Sequence, residues 1–441
     1  MSAIPLLRPI LTGLLLIAAT PALGINVERV NTPGGIEAWL VQDHSNPIVT
    51  IRFAFRGGAA LDPPGKVGLA NLVASTIDEG AGDLDSQSFQ KTIEDKAIRI
   101  RFDVGMDNFG GQLQTLVRNR DEAFDLLRLT LNSPRFDSEP VERVRSQILA
   151  GLKQDEESPH SIAGKAMREA LYSDHPYGRP ADGTLDSIKA ITADDLRAFV
   201  TQRLTRDTLV IGVVGNITPA ELGELLDTTF GTLPTRGTDW RIPKVRANTD
   251  GRTIVIDKDV PQSTILFADQ GLLRDDPDFY AGYVMNHILG GGGFTSRLYG
   301  EVREKRGLAY TISSGLNPRR ASATTVGGAG TVNARVRETL DVVKTEWRRM
   351  AENGVEDDEL RDAKTYLTGA YPLRFTGSTR IARMLVGIQL AELSIDYVKN
   401  RNAFIDAVTR DDIARVAKKL LDVNRLVTVI VGRPEGLPTT R

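Results

Sequence analysis

Hydrophobic and polar positions follow the same order twice along the chain. Residues 51–57 and 265–271 each form an apolar run that ends in glycine, a pattern typical of a buried strand. A proline follows each run, and then a helix-like apolar stretch, predicted over 67–77 and over 279–289. The two stretches lie roughly 215 residues apart. This repeat predicts two copies of one structural unit.

The ends of the two units also match. Thr192 and Thr409 each precede acidic residues and an apolar helical pattern, so both are predicted helix N-caps. Each helix leads to an apolar strand, at 209–215 and at 426–432. Similarity at both ends of a long period indicates duplicated domains.

Within each unit, predicted strands come first, helices fill the middle and a strand closes the unit. This order predicts an α+β fold, with two homologous αβ-sandwich domains whose helices cover one face of a largely antiparallel sheet. Residues 98–104 alternate with period two, as expected of a strand with one buried face. We predict an N-terminal domain at 25–233, a polar linker at 234–250 and a C-terminal domain at 251–441.

The first 24 residues predict secretion. Arg8 precedes an apolar run at 10–19, and small residues lead to Gly24, as in a cleaved signal peptide covering residues 1–24. An uncleaved anchor is the alternative, although the apolar run is short for a membrane span. No later stretch is long and apolar enough to span a membrane, so we expect a periplasmic protein in a Gram-negative source.

Composition removes several classes of function. The chain has 441 residues, enough for two domains, and a formal net charge of −2, which gives no general attraction to nucleic acid. It contains no cysteine, which excludes disulfides, thiolate metal sites and cysteine catalysis. The chemistry must therefore come from other side chains.

The stretch from Gly290 to Tyr310 is the richest candidate site. The glycines Gly290, Gly291, Gly292 and Gly293 form a loop without the Gly-Lys-Ser/Thr of a phosphate loop.

A short helix with Leu298 and Val302 on one face follows this loop, and then Gly307 as a C-cap and a strand at 308–316. Arg303 and Tyr310 would then point into one cleft, although by type alone a surface arginine and a packing tyrosine are the commoner roles.

The run from Arg303 to Tyr310 (Arg-Glu-Lys-Arg-Gly-Leu-Ala-Tyr), after a glycine-rich loop, resembles the second-half signature of the pitrilysin/insulinase metallopeptidases. Mitochondrial processing peptidase and its bacterial relatives are the most similar branch. The resemblance implies catalytic roles for Arg303 and Tyr310 and substrate contacts for the glycine loop, beside a zinc held by another half of the enzyme. It also implies that this chain is half of a four-domain clamshell.

The zinc motif of that family is absent. The family places His-x-x-Glu-His on the first long helix, whereas this chain has Asn71, Ala74 and Ser75 at the matching positions. The distal ligand position falls near Ala150, again without a carboxylate. None of these side chains replaces two imidazoles and a general base.

The four histidines do not suggest another metal site. They are His44, His160, His175 and His287, and none has a second ligand three or four residues away. We therefore expect no cofactor in this chain, and zinc in a partner subunit.

These observations predict a catalytically incomplete subunit of a periplasmic zinc metallopeptidase. It would supply Arg303 and Tyr310 to a zinc-bearing paralogous subunit in a heterodimer that acts on peptide substrates. Two alternatives remain: a scaffolding subunit resembling the zinc-free core proteins of the respiratory chain, and a stand-alone peptide-binding protein.

Overall fold

The structure, a computed structural model, describes residues 25–440. Its first sheet has the strand order β1-β2-β6-β3-β5-β4. All neighbouring strands are antiparallel except β2 and β6, which are parallel. The strands are β1 (Glu28–Asn31), β2 (Glu37–Gln42), β3 (Ile48–Arg56), β4 (Arg99–Val104), β5 (Asn108–Leu116) and β6 (Leu209–Gly215).

The second sheet repeats this topology. Its order is β7-β11-β8-β10-β9, which matches β2-β6-β3-β5-β4 position by position, and again only the first pair is parallel. The duplicated α+β architecture predicted from the sequence is therefore confirmed. The strands are β7 (Thr253–Ile256), β8 (Gln262–Gln270), β9 (Ala309–Pro318), β10 (Ala323–Val332) and β11 (Val427–Val431).

The helices follow the predicted pattern. Thr192 and Thr409 are N-caps, each accepting a hydrogen bond from the backbone N–H of an aspartate three residues on, as predicted. The helices of the first half are α1 (Leu69–Thr76), α2 (Ser86–Asp95), α3 (Arg120–Asn132), α4 (Ser138–Asp155), α5 (Pro159–Tyr172), α6 (Leu185–Ala190), α7 (Ala193–Arg203) and α8 (Pro219–Phe230). Those of the second half are α9 (Phe279–Asn286), α10 (Arg297–Tyr299), α11 (Val336–Asn353), α12 (Asp357–Gly369), α13 (Ser378–Leu390), α14 (Tyr397–Asp406) and α15 (Arg410–Leu420).

Each sheet packs one face against helices of its own half. Phe53 and Phe230 meet edge to face in the first core, and Phe267 and Trp347 do so in the second. Strand β4 shows the predicted alternation, since Ile100 is buried while its neighbours on either side are exposed. Both halves thus have their own hydrophobic core.

The other face of each sheet is covered by a helix from the opposite half. Helix α5 of the first half lays Ala163, Ala166 and Ala170 against Val427 and Val429 of the second sheet. Small residues on α5 allow this close approach of helix to sheet. The repeat in the sequence indicates duplication, but it carries no information about which sheet a helix covers, so this exchange was not predicted.

The exchange is reciprocal. Helix α13 of the second half packs Ala382 and Leu385 against Trp39 and Val214 of the first sheet. Hydroxyl groups continue the contact, since Thr50 Oγ1 donates a hydrogen bond of 3.0 Å to Ser378 Oγ. The two halves are therefore joined by two separate apolar contacts.

The segment predicted as a linker, 234–250, contains no helix or strand. Ile242 and Ala247 are nevertheless buried in the core between the halves. The backbone N–H of Val245 donates to the Ala321 carbonyl at 2.8 Å. This segment is thus packed against the rest of the chain, while the exact domain boundaries stay a prediction.

Two further predictions concern the N-terminus and the membrane. The predicted signal peptide, residues 1–24, lies outside the described residues. Between residues 25 and 440, no helix has the length and apolar character needed to cross a bilayer.

The exchanged helices predict that the two halves unfold together. Leu385→Ala removes a fully buried side chain at the α13 contact, so it should lower the free energy of unfolding by about 2–5 kcal/mol. Leu373→Ala is the control, because Leu373 is 65% exposed and should change it by less than about 0.5 kcal/mol. Variants that retain only Trp39 or only Trp347 report the unfolding of the first or the second half by fluorescence. Leu385→Ala should shift the unfolding midpoint of both reporters by the same amount. Two distinct midpoints, with only one shifted by Leu385→Ala, would contradict this packing.

Candidate functional site

The structure brings Arg303 and Tyr310 together. Helix α10 continues as a π-helical turn over Gly300–Glu304, which contains Arg303. Gly307 follows with a φ of +57°, and its N–H donates to the Arg303 carbonyl at 2.9 Å. This left-handed turn reverses the chain into β9, where Tyr310 is the second residue. The predicted helix, C-cap and strand are confirmed.

Arg303 lies between two aromatic rings. Its guanidinium carbon is 4.5 Å from the ring centroid of Tyr310 and 4.9 Å from that of Tyr299. Its Nη1 also donates a hydrogen bond to the Tyr299 hydroxyl. Phe294 meets the Tyr299 ring edge to face, with centroids 4.9 Å apart. We call Phe294, Tyr299, Arg303 and Tyr310 the Arg303 cluster.

The Arg303 cluster ends at an exposed hydroxyl. Tyr310 is 77% exposed and Phe294 73% exposed, while Tyr299 is buried. Within residues 25–440, the Tyr310 hydroxyl has no hydrogen-bond partner, so it is free to donate to a ligand. Tyr299 and Phe294 were missed in the sequence. The spacing of four between Tyr299 and Arg303 is the signal that would have found Tyr299.

Arg297 anchors the helix that carries this cluster. Its guanidinium binds Glu359 of α12 through Nε at 2.7 Å and Nη2 at 2.5 Å, and Nη2 also donates to the Gly354 carbonyl. The pKa of Glu359 is lowered overall. Burial alone would raise this pKa, but the hydrogen bonds from Arg297 and from the Glu356 N–H outweigh the effect of burial. Glu359 therefore stays ionised and holds the helix in place.

The predicted glycine loop is wrong for its first two residues, because Gly290 and Gly291 end a π-helical turn over His287–Gly291, and packing explains both glycines. A Cβ on Gly290 would lie 2.8 Å from the backbone nitrogen of Ser314 in β9, and one on Gly291 would lie 2.7 Å from Asn286 Nδ2. Asn286 holds the same strand, because its Nδ2 donates to the Ser314 carbonyl at 3.1 Å and its Oδ1 accepts from the Ser314 hydroxyl at 2.8 Å. Contact of the loop with substrate stays a prediction.

The positions of the missing zinc motif lie on α1, as predicted. Ala74 is buried, and the Ser75 hydroxyl donates to the Asn71 carbonyl at 2.9 Å within the helix. Ala150 lies exposed on α4 without a carboxylate of its own. Zinc would therefore meet the amide of Asn71, the methyl group of Ala74 and the hydroxyl of Ser75, which is already bonded to a carbonyl. These three groups cannot hold the ion. No group of three or more potential ligands is placed to hold a metal in the described part of the chain.

The histidines are dispersed. His44 Nδ1 lies 2.6 Å from Asn216 Oδ1, and His175 is held between the Tyr177 N–H and the Pro243 carbonyl. His160 is exposed at the start of α5. His287 stacks on Tyr366 with centroids 5.2 Å apart, and burial lowers its pKa. Each histidine thus has a local structural setting.

Comparison with known families gives two matches. Residues 38–185 match the family model described as insulinase (peptidase family M16), and residues 190–367 match the one described as the peptidase M16 inactive domain. Together these matches cover most of both sheets and the whole Arg303 cluster.

Individual proteins agree with these matches. A protein of Helicobacter pylori named "non-peptidase homolog YmxG" is 30% identical over 76% of this chain and 77% of its own length. An uncharacterised zinc protease of Streptomyces coelicolor is 28% identical over 70% of this chain and 68% of its own. The crystal structure of a peptidase M16 inactive domain from Pseudomonas fluorescens superposes with a TM-score of 0.86 and 26% identity, covering 95% of this chain and 100% of that one.

The surroundings of Gly290 and Gly300 predict opposite effects of an added methyl group. Gly290→Ala should lower the free energy of unfolding by about 1–3 kcal/mol, because its Cβ has no room beside β9. Gly300→Ala should raise it by about 0.4–1 kcal/mol, since Gly300 has helical dihedrals and open space around it. Chemical denaturation of both variants tests this, and equal effects would contradict the packing described.

Proposed function

Because this chain belongs to the insulinase family of peptidases (M16) and carries no donor set for zinc on α1, we propose that it is the non-catalytic partner of a secreted peptidase. In this proposal it supplies Arg303 and Tyr310 to a paralogous subunit that holds the zinc. The pair would act on peptides in the periplasm.

The observation that carries the proposal is the Arg303 cluster. Tyr310 stands at the end of the outermost strand of the second sheet, with a guanidinium against its ring and no hydrogen-bond partner for its hydroxyl among residues 25–440. The helix that carries the guanidinium is fixed from behind by Arg297 and Glu359. A polar group that is held in place and still free to donate is suited to stabilise charge that develops on a substrate.

The chain's own residues would act in two ways. The Tyr310 hydroxyl would donate to the carbonyl oxygen of the scissile peptide as negative charge develops on it, which stabilises the transition state more than the bound peptide. Arg303 already gives one N–H to Tyr299, so its remaining donors would hold a backbone carbonyl of the substrate or keep Tyr310 in place.

The partner would supply the zinc site and its general base. A chain of two αβ domains would then pair with a second chain of similar design to enclose the peptide. Support for this division comes from the family match together with the residues present at 71, 74 and 75.

A scaffolding role is the second candidate, and one observation favours it. Arg303 is engaged by both tyrosines of its cluster, so it has an internal structural use without any ligand. A scaffold would need the assembly surface but not the free hydroxyl of Tyr310.

The isolated mature chain should bind no stoichiometric zinc and cleave no peptide. The reason is that α1 offers an amide, a methyl group and a hydroxyl in place of zinc ligands. Elemental analysis and a fluorogenic peptide assay on the purified chain measure both. Tightly bound zinc at one equivalent, together with cleavage, would refute the proposal.

Activity should return when the chain is combined with a zinc-bearing paralogue from the same organism. Co-expression should give a complex of about twice the mass of one chain, and the complex should cleave peptides. A paralogue that is fully active alone and unaffected by this chain would contradict the heterodimer.

Tyr310→Phe separates an active-site subunit from a scaffold. The complex should assemble with unchanged zinc content, while kcat falls by roughly 10²–10³-fold, as for the loss of one oxyanion donor. Arg303→Lys should mainly raise KM, because the planar fork is lost while the charge remains.

Tyr366→Phe is the matched control for Tyr310→Phe, since Tyr366 is also an exposed tyrosine of the second half. It should leave kcat unchanged. An intact complex whose kcat is equally unaffected by Tyr310→Phe would favour the scaffold.

A further inference from the structure

Two arginines from opposite halves lie beside the junction of the sheets. Arg168 lies on α5, the helix that the first half lends to the second sheet, and Arg319 lies in the turn between β9 and β10. Both side chains are partly buried. The guanidinium carbon of Arg319 is 5.9 Å from the ring centroid of Tyr172, which lies about one helical turn from Arg168 on α5. Burial lowers the pKa of Arg168, and the positive charge of Arg319 lowers it further.

Both guanidinium groups have unused donors. In the described part of the chain, Arg168 Nε and Arg319 Nη1 are buried and have no hydrogen-bond partner. Buried donors of charged groups are almost always satisfied by protein, water or a bound ion, so each exception needs an explanation. The charges of Asp182 and Glu169 raise the pKa of Arg168, but no hydrogen bond within residues 25–440 reaches its Nε.

The turn that presents Arg319 is held rigidly. The Arg320 N–H donates to Asp107 Oδ2 at 3.1 Å, and the Ala321 N–H donates to the Tyr177 hydroxyl at 3.0 Å. The guanidinium of Arg319 also lies over the Tyr177 ring, 4.8 Å from its centroid. Contacts with the first half therefore fix both the turn and the guanidinium of Arg319, so its Nη1 has a defined position.

We infer that Arg168 and Arg319 form a binding site for the C-terminal carboxylate of a bound peptide. The planar forks of two arginines match the two oxygens of a carboxylate. The inference rests on the proposed function, because the ligand is the peptide that Tyr310 would contact.

The position of the site along β9 agrees with this ligand. Tyr310 and Arg319 stand at the two ends of the strand, about 30 Å apart for an extended backbone. Thr311 and Ser313 are exposed between them. A peptide lying along these side chains would place its carboxylate at Arg319 about nine residues beyond the bond nearest Tyr310.

A mixed peptide library tests the site. Randomised decapeptides are made as free acids and as C-terminal amides, mixed in equal amounts and passed over the immobilised mature chain, and the retained ratio is read by mass spectrometry. The chain should retain the acids over the amides by roughly tenfold, as for one charge-assisted contact. Arg168→Gln and Arg319→Gln should reduce the ratio to about one.

Arg361→Gln is the control, because Arg361 is an exposed arginine paired only with its neighbour Asp362 in the described residues, and it should keep the wild-type ratio. Arg319→Lys keeps the positive charge but loses the planar guanidinium. A ratio of acids to amides between those of the wild type and the glutamine variant would support recognition by the guanidinium, and this variant serves if a glutamine variant fails to fold.

The other outcomes separate this inference from the proposed function. Equal retention of acids and amides overturns the carboxylate site and leaves peptide binding intact. Retention of neither overturns the carboxylate site alone, because the proposed function places the peptide between two paired subunits and is tested by the co-expressed complex. A ratio that follows internal acidic residues instead of the C-terminus, or thermal stabilisation by inorganic phosphate without any preference for acids, overturns the assignment to a peptide terminus.

Discussion

The reciprocal packing of α5 and α13 is the contact on which the rest of the molecule depends. Each sheet has two apolar faces, and its own helices cover only one of them. An uncovered second face would expose a large apolar patch, which soluble proteins avoid. Each half lends one helix to the other, which covers both second faces, and the packed segment 234–250 adds a further contact between the halves.

This constraint reaches the candidate site through β9. The turn after β9 is docked on Asp107 and Tyr177 of the first half, and Asn286 and Gly290 press against the middle of the strand. The strand is therefore held at its far end and at its centre. Tyr310, at the near end, projects from a fixed support, although its own side chain is exposed. The backbone that carries this side chain is thus supported at two points, and the Tyr310 ring rests against the guanidinium of Arg303.

Local and global features differ in how well the sequence predicts them. The caps at Thr192 and Thr409, the left-handed Gly307 and the approach of Arg303 to Tyr310 follow from neighbouring residues, and the structure has all of them. The helix exchange could not be predicted, because apolar residues that face a sheet look the same whichever sheet they cover. The packing of the glycine loop was missed for a related reason, since the close approach involves a strand more than twenty residues away.

The lack of zinc ligands on α1 is physically compatible with the fold. A zinc that only activates water contributes to catalysis, whereas a structural zinc contributes to folding. In this chain α1 is held by the apolar packing of Leu69, Leu72 and Val73 in the first core, so the fold of the first half does not depend on a metal. In the second half, Tyr310 exposes a large ring and a hydroxyl that has no hydrogen-bond partner among the described residues. Packing of the two halves does not need such a group, because α5 and α13 already provide that contact. A hydroxyl that makes no hydrogen bond within residues 25–440 and contributes nothing to the packing of the two halves is available to a ligand or to a second subunit.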